Sequence, residues 1–304
     1  MPIALPQIRD LLLPGLWAVT GQYPQLPRVW NKIYDSRASK MALERSVSMR
    51  YQSVAVVKEE GAPTSFDNQP GQRYVYNQEH LEFGLAFAIT RKAIADNLYK
   101  TDFGPNAMGL RDAFLRAEEV YAADVLNTSD VFVAAIQGDG VSLSNAAHPV
   151  DGNTVSNIAS PAASLSETSL LNAQIAINAN WRDNANQRMN AKPKLLIIPP
   201  QLEPVAVRLL KTELRPGTSL NDTNAILMVQ GGIPNGYQVW NYLTSQFAWW
   251  VRTDQRGLVH MDREPYETDM SVEFTTDNLL VKGYMRQSWA YNDWRSIYTS
   301  LATS

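Results

Sequence analysis

The stretch Lys58–Gln72 (KEEGAPTSFDNQPGQ) most constrains what this chain can fold into. Gly61, Pro63, Asp67, Asn68, Pro70 and Gly71 make it a turn-rich tip. Before it lies a strand candidate, Ser46–Val57 (SVSMRYQSVAVV). After it Tyr74 and Tyr76 alternate, and then Leu81, Phe83, Leu85, Phe87 and Ile89 line one face of a second candidate, with Glu82, Gly84, Ala86 and Ala88 between them. The whole reads as a long hairpin, in which twelve strand residues would span about 40 Å. An isolated two-stranded hairpin is marginal in water. It therefore needs a partner surface, either on its own domain or on a neighbouring subunit.

Around this hairpin the chain divides into recognisable parts. Met1–Asn31 carries Pro2, Pro6, Pro14, Pro24 and Pro27, leaves room only for a short helix at Ile8–Leu13, and reads as an arm laid against something else. Thr90 is a plausible cap for a helix Arg91–Tyr99, and DFGPN at Asp102–Asn106 reads as a break. A second helix, Gly109–Leu126, carries an apolar stripe of Leu110, Phe114, Ala117, Tyr121 and Val125, with Arg111, Asp112, Glu118 and Glu119 off it. At 1.5 Å per residue it would be about 27 Å long, a rigid spine for the domain. Gly138–Ser166 is loop-rich, and Ser166 reads as the cap of a helix running to about Asn180. KLLII at Lys194–Ile198, closed by Pro199 and Pro200, reads as a buried strand before a helix Glu203–Leu214. Tyr237–Leu243, Gln246–Arg252 and much of Ser271–Thr299 are strand-like.

Signatures of chemistry are missing. There is no cysteine, which excludes disulfides and a thiolate nucleophile. His80, His148 and His260 are far apart and outside any HExxH, so neither a metal nor a cofactor is expected. There is no GxSxG and no GxxxxGK[ST]. Gly138-Asp139-Gly140 lacks the third glycine of a dinucleotide motif and reads as a turn. Glu59-Glu60 falls on the hairpin tip and Glu118-Glu119 on a helix surface, both expected to be solvated or interfacial, and Asp262-Arg263-Glu264 reads as a surface charge cluster. With 27 basic and 30 acidic residues, the chain lacks the broad basic face of a DNA-gripping protein. No apolar stretch approaches 18 residues, so no membrane partner is expected. Eight Trp and 13 Tyr suit either core packing or subunit contacts.

Several stretches, in this order, resemble the major capsid proteins of tailed bacteriophages with the Hong-Kong-97-type fold, in a branch similar to the Mu-like major head subunit. They are EEGAPTSFD, FGLAFAITRKAIADNLYK, VLNTS with GDGVSLSNAAHPVDGNTVSN, PKLLIIPPQLEPVAVRLLKTEL, YLTSQFAWWVRTD and VKGYMRQSWAYNDWRSIYTS.

The resemblance implies an α+β fold divided into an N-terminal arm (1–45), an extended hairpin loop and its base (46–90), a peripheral domain with the spine helix (91–160), an axial α/β domain (161–267) and peripheral return strands (268–304). It implies a structural protein and no enzyme. Copies would form homo-pentamers and homo-hexamers of an icosahedral virion shell, assembled in the host bacterial cytoplasm. Portal, scaffold and decoration proteins are the implied partners, with double-stranded DNA as non-specific content. The tip residues Lys58, Glu59, Glu60, Gly61, Ala62, Pro63, Phe66 and Asp67 would meet the adjacent subunit. Some relatives crosslink a loop lysine to an asparagine; Lys58 lies near the tip but no matching acceptor context is visible. The arm-like sequence begins at Met1, so a separate scaffold or none is expected in place of a cleaved leader. An encapsulin-like compartment shell is the nearest rival, although such shells tend to begin with a cargo-facing helix. A hydrolase with an unfamiliar site is the distant one and would need a converging acid/base pair.

Overall fold

A computed structural model describes residues 27–67, 70–95, 99–212, 224, 226 and 232–303. Most of the arm, including Trp17, and the end of the expected helix beyond Thr212 lie outside them. The fold is α+β, as the sequence implies. Four strands, β1 (Asp35–Ala38), β11 (Leu258–Val272), β12 (Leu279–Tyr291) and β4 (Leu81–Ile89), make one sheet in the order β1-β11-β12-β4. The β1–β11 pair is parallel and the others are antiparallel. A second sheet has the order β13-β10-β8-β9, from Ile297–Ser300, Trp249–Thr253, Pro193–Ile198 and Tyr237–Val239. The segment 268–304 therefore feeds two sheets, β12 the first and β13 the second.

The hairpin differs from expectation. The outgoing strand β2 is Leu43–Arg50, and it pairs with β3, Gly71–Glu79, not with Leu81–Ile89. β4 instead joins β12. The pairing closes at Arg50↔Gly71, and residues 51–59 carry no regular structure. The reason is the returning side: in the register Arg50↔Gly71 the next residue opposite Tyr51 is Pro70, which has no amide to donate to a ladder. Eight strand residues replace the expected twelve, about 26 Å of ladder. A two-residue strand β5, Gln137–Gly138, pairs with β3, and β6 (His148–Val150) pairs with β7 (Asn153–Val155).

The helices differ too. α1 is Arg91–Ala95, and α2 runs unbroken through Tyr99–Asn127. The expected break at Asp102–Asn106 is absent. The backbone is helical through Gly104-Pro105, and a glycine before proline lacks the Cβ that contributes to the usual clash there. α3, Glu167–Ile175, starts at a Ser166 cap that accepts from the Ser169 amide and continues as a π turn to Asn180. α4 ends at Leu210.

α2 packs on β4 and β12. Ala107, Leu110 and Phe114 meet Met270, Leu279, Val281 and Met285. Ala117 packs against this cluster and Val125 against the main core. Tyr121, also in the expected stripe, is 44% exposed, with only its ring edge on Phe83. The buried face is wider than the stripe: Leu115, Glu118, Glu119, Ala122, Ala123 and Leu126 are buried as well. The seven described Trp residues are all buried in the subunit, which settles them as core and not as subunit anchors.

Gly283 on β12 lies where α2 crosses the sheet. A Cβ there would come within 2.6 Å of the Phe114 ring and 2.9 Å of Tyr266. Gly283→Ala should therefore lower stability by about 1–3 kcal/mol, read as a reduced denaturation midpoint, whereas Gly84→Ala on the open neighbouring strand should cost far less.

Candidate assembly interface

Beyond Arg50 the loop stands clear of the body. Residues 51–61 are all exposed, Val57 at 95%, and Phe66 at 88%. Lys58, Glu59, Glu60, Gly61 and Pro63 are exposed; Ala62 and Asp67 are half-buried. Tyr51, Val54, Val56, Val57 and Phe66 expose a row of large apolar groups on one short segment. Continuous exposed apolar surface marks a contact site.

The base of the loop is held by charge. Arg50, nearly buried, lies 3.6 Å from Asp67 on the returning side and 3.2 Å from Asp151 in the β6–β7 turn. Arg73 lies 3.8 Å from the other oxygen of Asp151. The Ser53 amide donates to Asp67 at 2.7 Å. From the other side Asn184 donates to the Ser48 hydroxyl (2.6 Å) and the Met49 carbonyl (2.8 Å), and Arg295 donates to Asn184 at 3.0 Å. The body thus grips the end of the ladder from two sides, while residues 51–61 beyond it are exposed.

The second cluster corrects the reading of Glu118-Glu119. Both side chains are buried, at 1% and 4% exposure. Glu119 accepts from the Val29 amide at 2.6 Å, the Trp30 amide at 3.4 Å and the Trp240 indole at 2.6 Å. Glu118 accepts from the Trp30 indole at 3.4 Å and lies 3.2 Å from the Arg28 guanidinium. Tyr34 donates to the Ala122 carbonyl one turn on, at 2.7 Å. The segment 27–34 is thereby strapped along α2. Burial raises the pKa of both carboxyls, while these donors and Arg28 oppose the shift. Glu119 lines a cavity of about 140 Å³, yet its oxygens are taken by structural donors, so it is not poised for acid/base work.

The histidines do not converge. His148 is buried in β6, between Asp139 (2.7 Å) and Asn157 (3.1 Å), and stacked on Trp294. His80 contacts Ser39 and Ser288. His260 sits between Trp30 and Trp289, with Ser36 at 2.9 Å and Gln287 at 3.2 Å. Gly138 ends β5 and Asp139-Gly140 forms the turn after it, with left-handed backbone at both glycines. Asp262 is half-buried at a bulge in β11 and its pKa is raised by burial, so the 262–264 cluster is not a plain surface patch. Among the described residues no group of three or more His, Cys, Asp or Glu side chains could hold a metal. Nor is any described helix long and apolar enough to cross a membrane.

A family model described as "Phage capsid protein" matches residues 80–300, from the start of β4 to the end of β13. The chain belongs to the phage capsid protein family. It is a structural capsid protein, not an enzyme, and a virion component. The match begins after the loop tip. Among curated proteins there is no match. Solved structures share the fold at low identity. The virus-like particle from Pyrococcus furiosus is 10% identical over 96% of this chain and 99% of that one, with a TM-score of 0.54. The capsid of a native gene transfer agent (GTA) particle is 13% identical over 91% of each chain, at 0.57. The procapsid of bacteriophage JBD30 is 11% identical over 99% of this chain and 76% of that one, at 0.51. The fold is therefore one found in assembled shells, consistent with self-assembly.

Sequence reasoning found the loop but not what positions it. Arg50, Asp151 and Asn184 are far apart along the chain, and nothing local signals that they meet. Glu119→Ala would leave the Val29 amide and the Trp240 indole without acceptors. Unsatisfied buried donors cost about 1–3 kcal/mol each, so a loss on the order of 3 kcal/mol is expected in chemical denaturation, against almost none for the exposed Glu59→Ala. A second expectation concerns pH. Burial lowers the pKa of His260 to about 4. Its stabilising neutral form is fully present above the ordinary value of 6.5, and the benefit is lost as pH falls from there towards 4, on the order of 3 kcal/mol in all. Glu118 and Glu119, with raised values, act in the opposite direction. The unfolding midpoint should thus fall more between pH 7.5 and 4.5 in the native protein than in His260→Gln.

Proposed function

We propose that the chain is the shell-building subunit of a tailed-phage head, with copies in five- and six-membered rings of an icosahedral shell around double-stranded DNA. The observation that carries this reading is the apolar loop that stands off the body of a capsid-family chain. The described residues of one subunit leave those groups exposed, and a neighbouring copy is the surface proposed to cover them. Lys58, Glu59, Glu60, Gly61, Ala62, Pro63, Phe66 and Asp67 are the tip residues proposed to meet that neighbour, with the apolar residues Tyr51–Val57 below them. Residues 1–45 serve as the arm and 46–90 as the loop and its base. The peripheral domain is 91–160, built on the spine helix, with return strands in 268–304; the axial domain is 161–267. Near-neutral charge suits a wall that DNA presses on without sticking. A portal is the partner this role calls for, with a scaffold and decoration proteins as further ones, and assembly takes place in the bacterial cytoplasm.

Replacing Tyr51–Pro70 by a tight Asn-Gly turn between the paired residues Arg50 and Gly71 tests the role of the loop. Electron microscopy should show no stable closed particles from the variant, while its circular dichroism stays that of a folded subunit. Normal shells from the replacement would overturn the bridging role.

A further inference from the structure

The sheet edges are unequally guarded. β1, at one end of the first sheet, is four residues long and carries Asp35 and Arg37. β2 has a register shift at Ser48/Met49, carries Arg45, and has its Met49 carbonyl capped by Asn184. β4 has none of these devices. It is nine residues long, pairs with β12 without a bulge, and contains no proline. Its single charge, Glu82, lies near Arg286 of its partner strand. Among the described residues no strand pairs its outer side. Gly84, Ala86 and Ala88 are exposed and small, and a Cβ added at Gly84 would meet nothing within 4 Å. A long, flat, unguarded edge templates pairing with another chain.

The same chain carries a segment that fits. Tyr51–Val57 is exposed, outside any ladder, and contains neither proline nor glycine. Val54, Val56 and Val57 favour strand backbone. The other candidate from this chain, the first 31 residues, has Pro2, Pro6, Pro14, Pro24 and Pro27, each lacking a ladder donor.

We propose that Tyr51–Val57 of one copy adds as a strand to the outer edge of β4 in a neighbouring copy. The partner is a second copy of this chain, held by main-chain hydrogen bonds, with Val54 and Val56 on one face of the added strand and Tyr51 and Val57 on the other. This rests on the reading that the loop bridges copies, and adds the edge it binds and the manner of binding.

Disulfide trapping tests it cleanly, because the chain has no cysteine of its own. Val54→Cys or Val56→Cys is combined with Ala86→Cys or Ala88→Cys, all at exposed positions. Adjacent strands place Cα atoms within disulfide range. Assembled particles are oxidised and run on denaturing gels. Each copy both gives and receives a strand, so at least one combination should yield a ladder of chains beyond the dimer. Amides 51–57 should also exchange more slowly in particles than in unassembled subunits. Well-formed particles that show neither links between chains nor slowed exchange would overturn the strand-addition proposal while leaving the bridging role intact. Normal particles from the loop replacement would remove the bridging role itself. Slowed exchange at β4 without any loop link would place another occupant on that edge and equally overturn the proposal.

Discussion

Two adjacent carboxylates on α2 hold the subunit's parts in relation to each other. Glu119 receives main-chain donors from the segment ahead of β1 and the indole of Trp240, which follows β9. One side chain thus ties the strap, the helix and the second sheet at a single point. Burying two acids side by side on one helix is costly, and the donors and Arg28 offset that cost. Remove the acceptors and each donor becomes an unsatisfied buried group, so the cluster either forms whole or not at all.

From that point outward the molecule divides its labour. The tryptophans close the interior, which frees the loop to carry its apolar side chains in solvent. The Arg50–Asp67–Asp151 contacts and Asn184 fix where the loop leaves the body without limiting what its tip touches.

The parts legible in the sequence were those fixed by local pattern. KLLII, bracketed by prolines, was readable as a buried strand, and Ser166 as a helix cap, because the cause lies within a few residues. Leu81–Ile89 was readable as a strand but not in its pairing: alternation fixes faces, not partners, and the choice of β12 is made some 190 residues away. Glu118-Glu119 misled for a related reason. Two acids beside an apolar stripe read as solvent-facing unless a second body covers that side, and here Arg28, Trp30 and Trp240 do so from distant sequence. The loop was visible by its turn residues, whereas the residues that seat it belong to separate turns that meet only in the fold.

The placement of β13 has a consequence for synthesis. β10, with its buried tryptophans, is sandwiched between β8 and β13, and β13 emerges after all the other described strands. Until Ile297–Ser300 leaves the ribosome, one side of β10 stays open and the second sheet is incomplete. A chain cut short before Ile297 lacks the strand that closes its core. The buried tryptophans of β10 then lie on an open sheet edge, so a shortened copy lacks the finished interior of a full-length one.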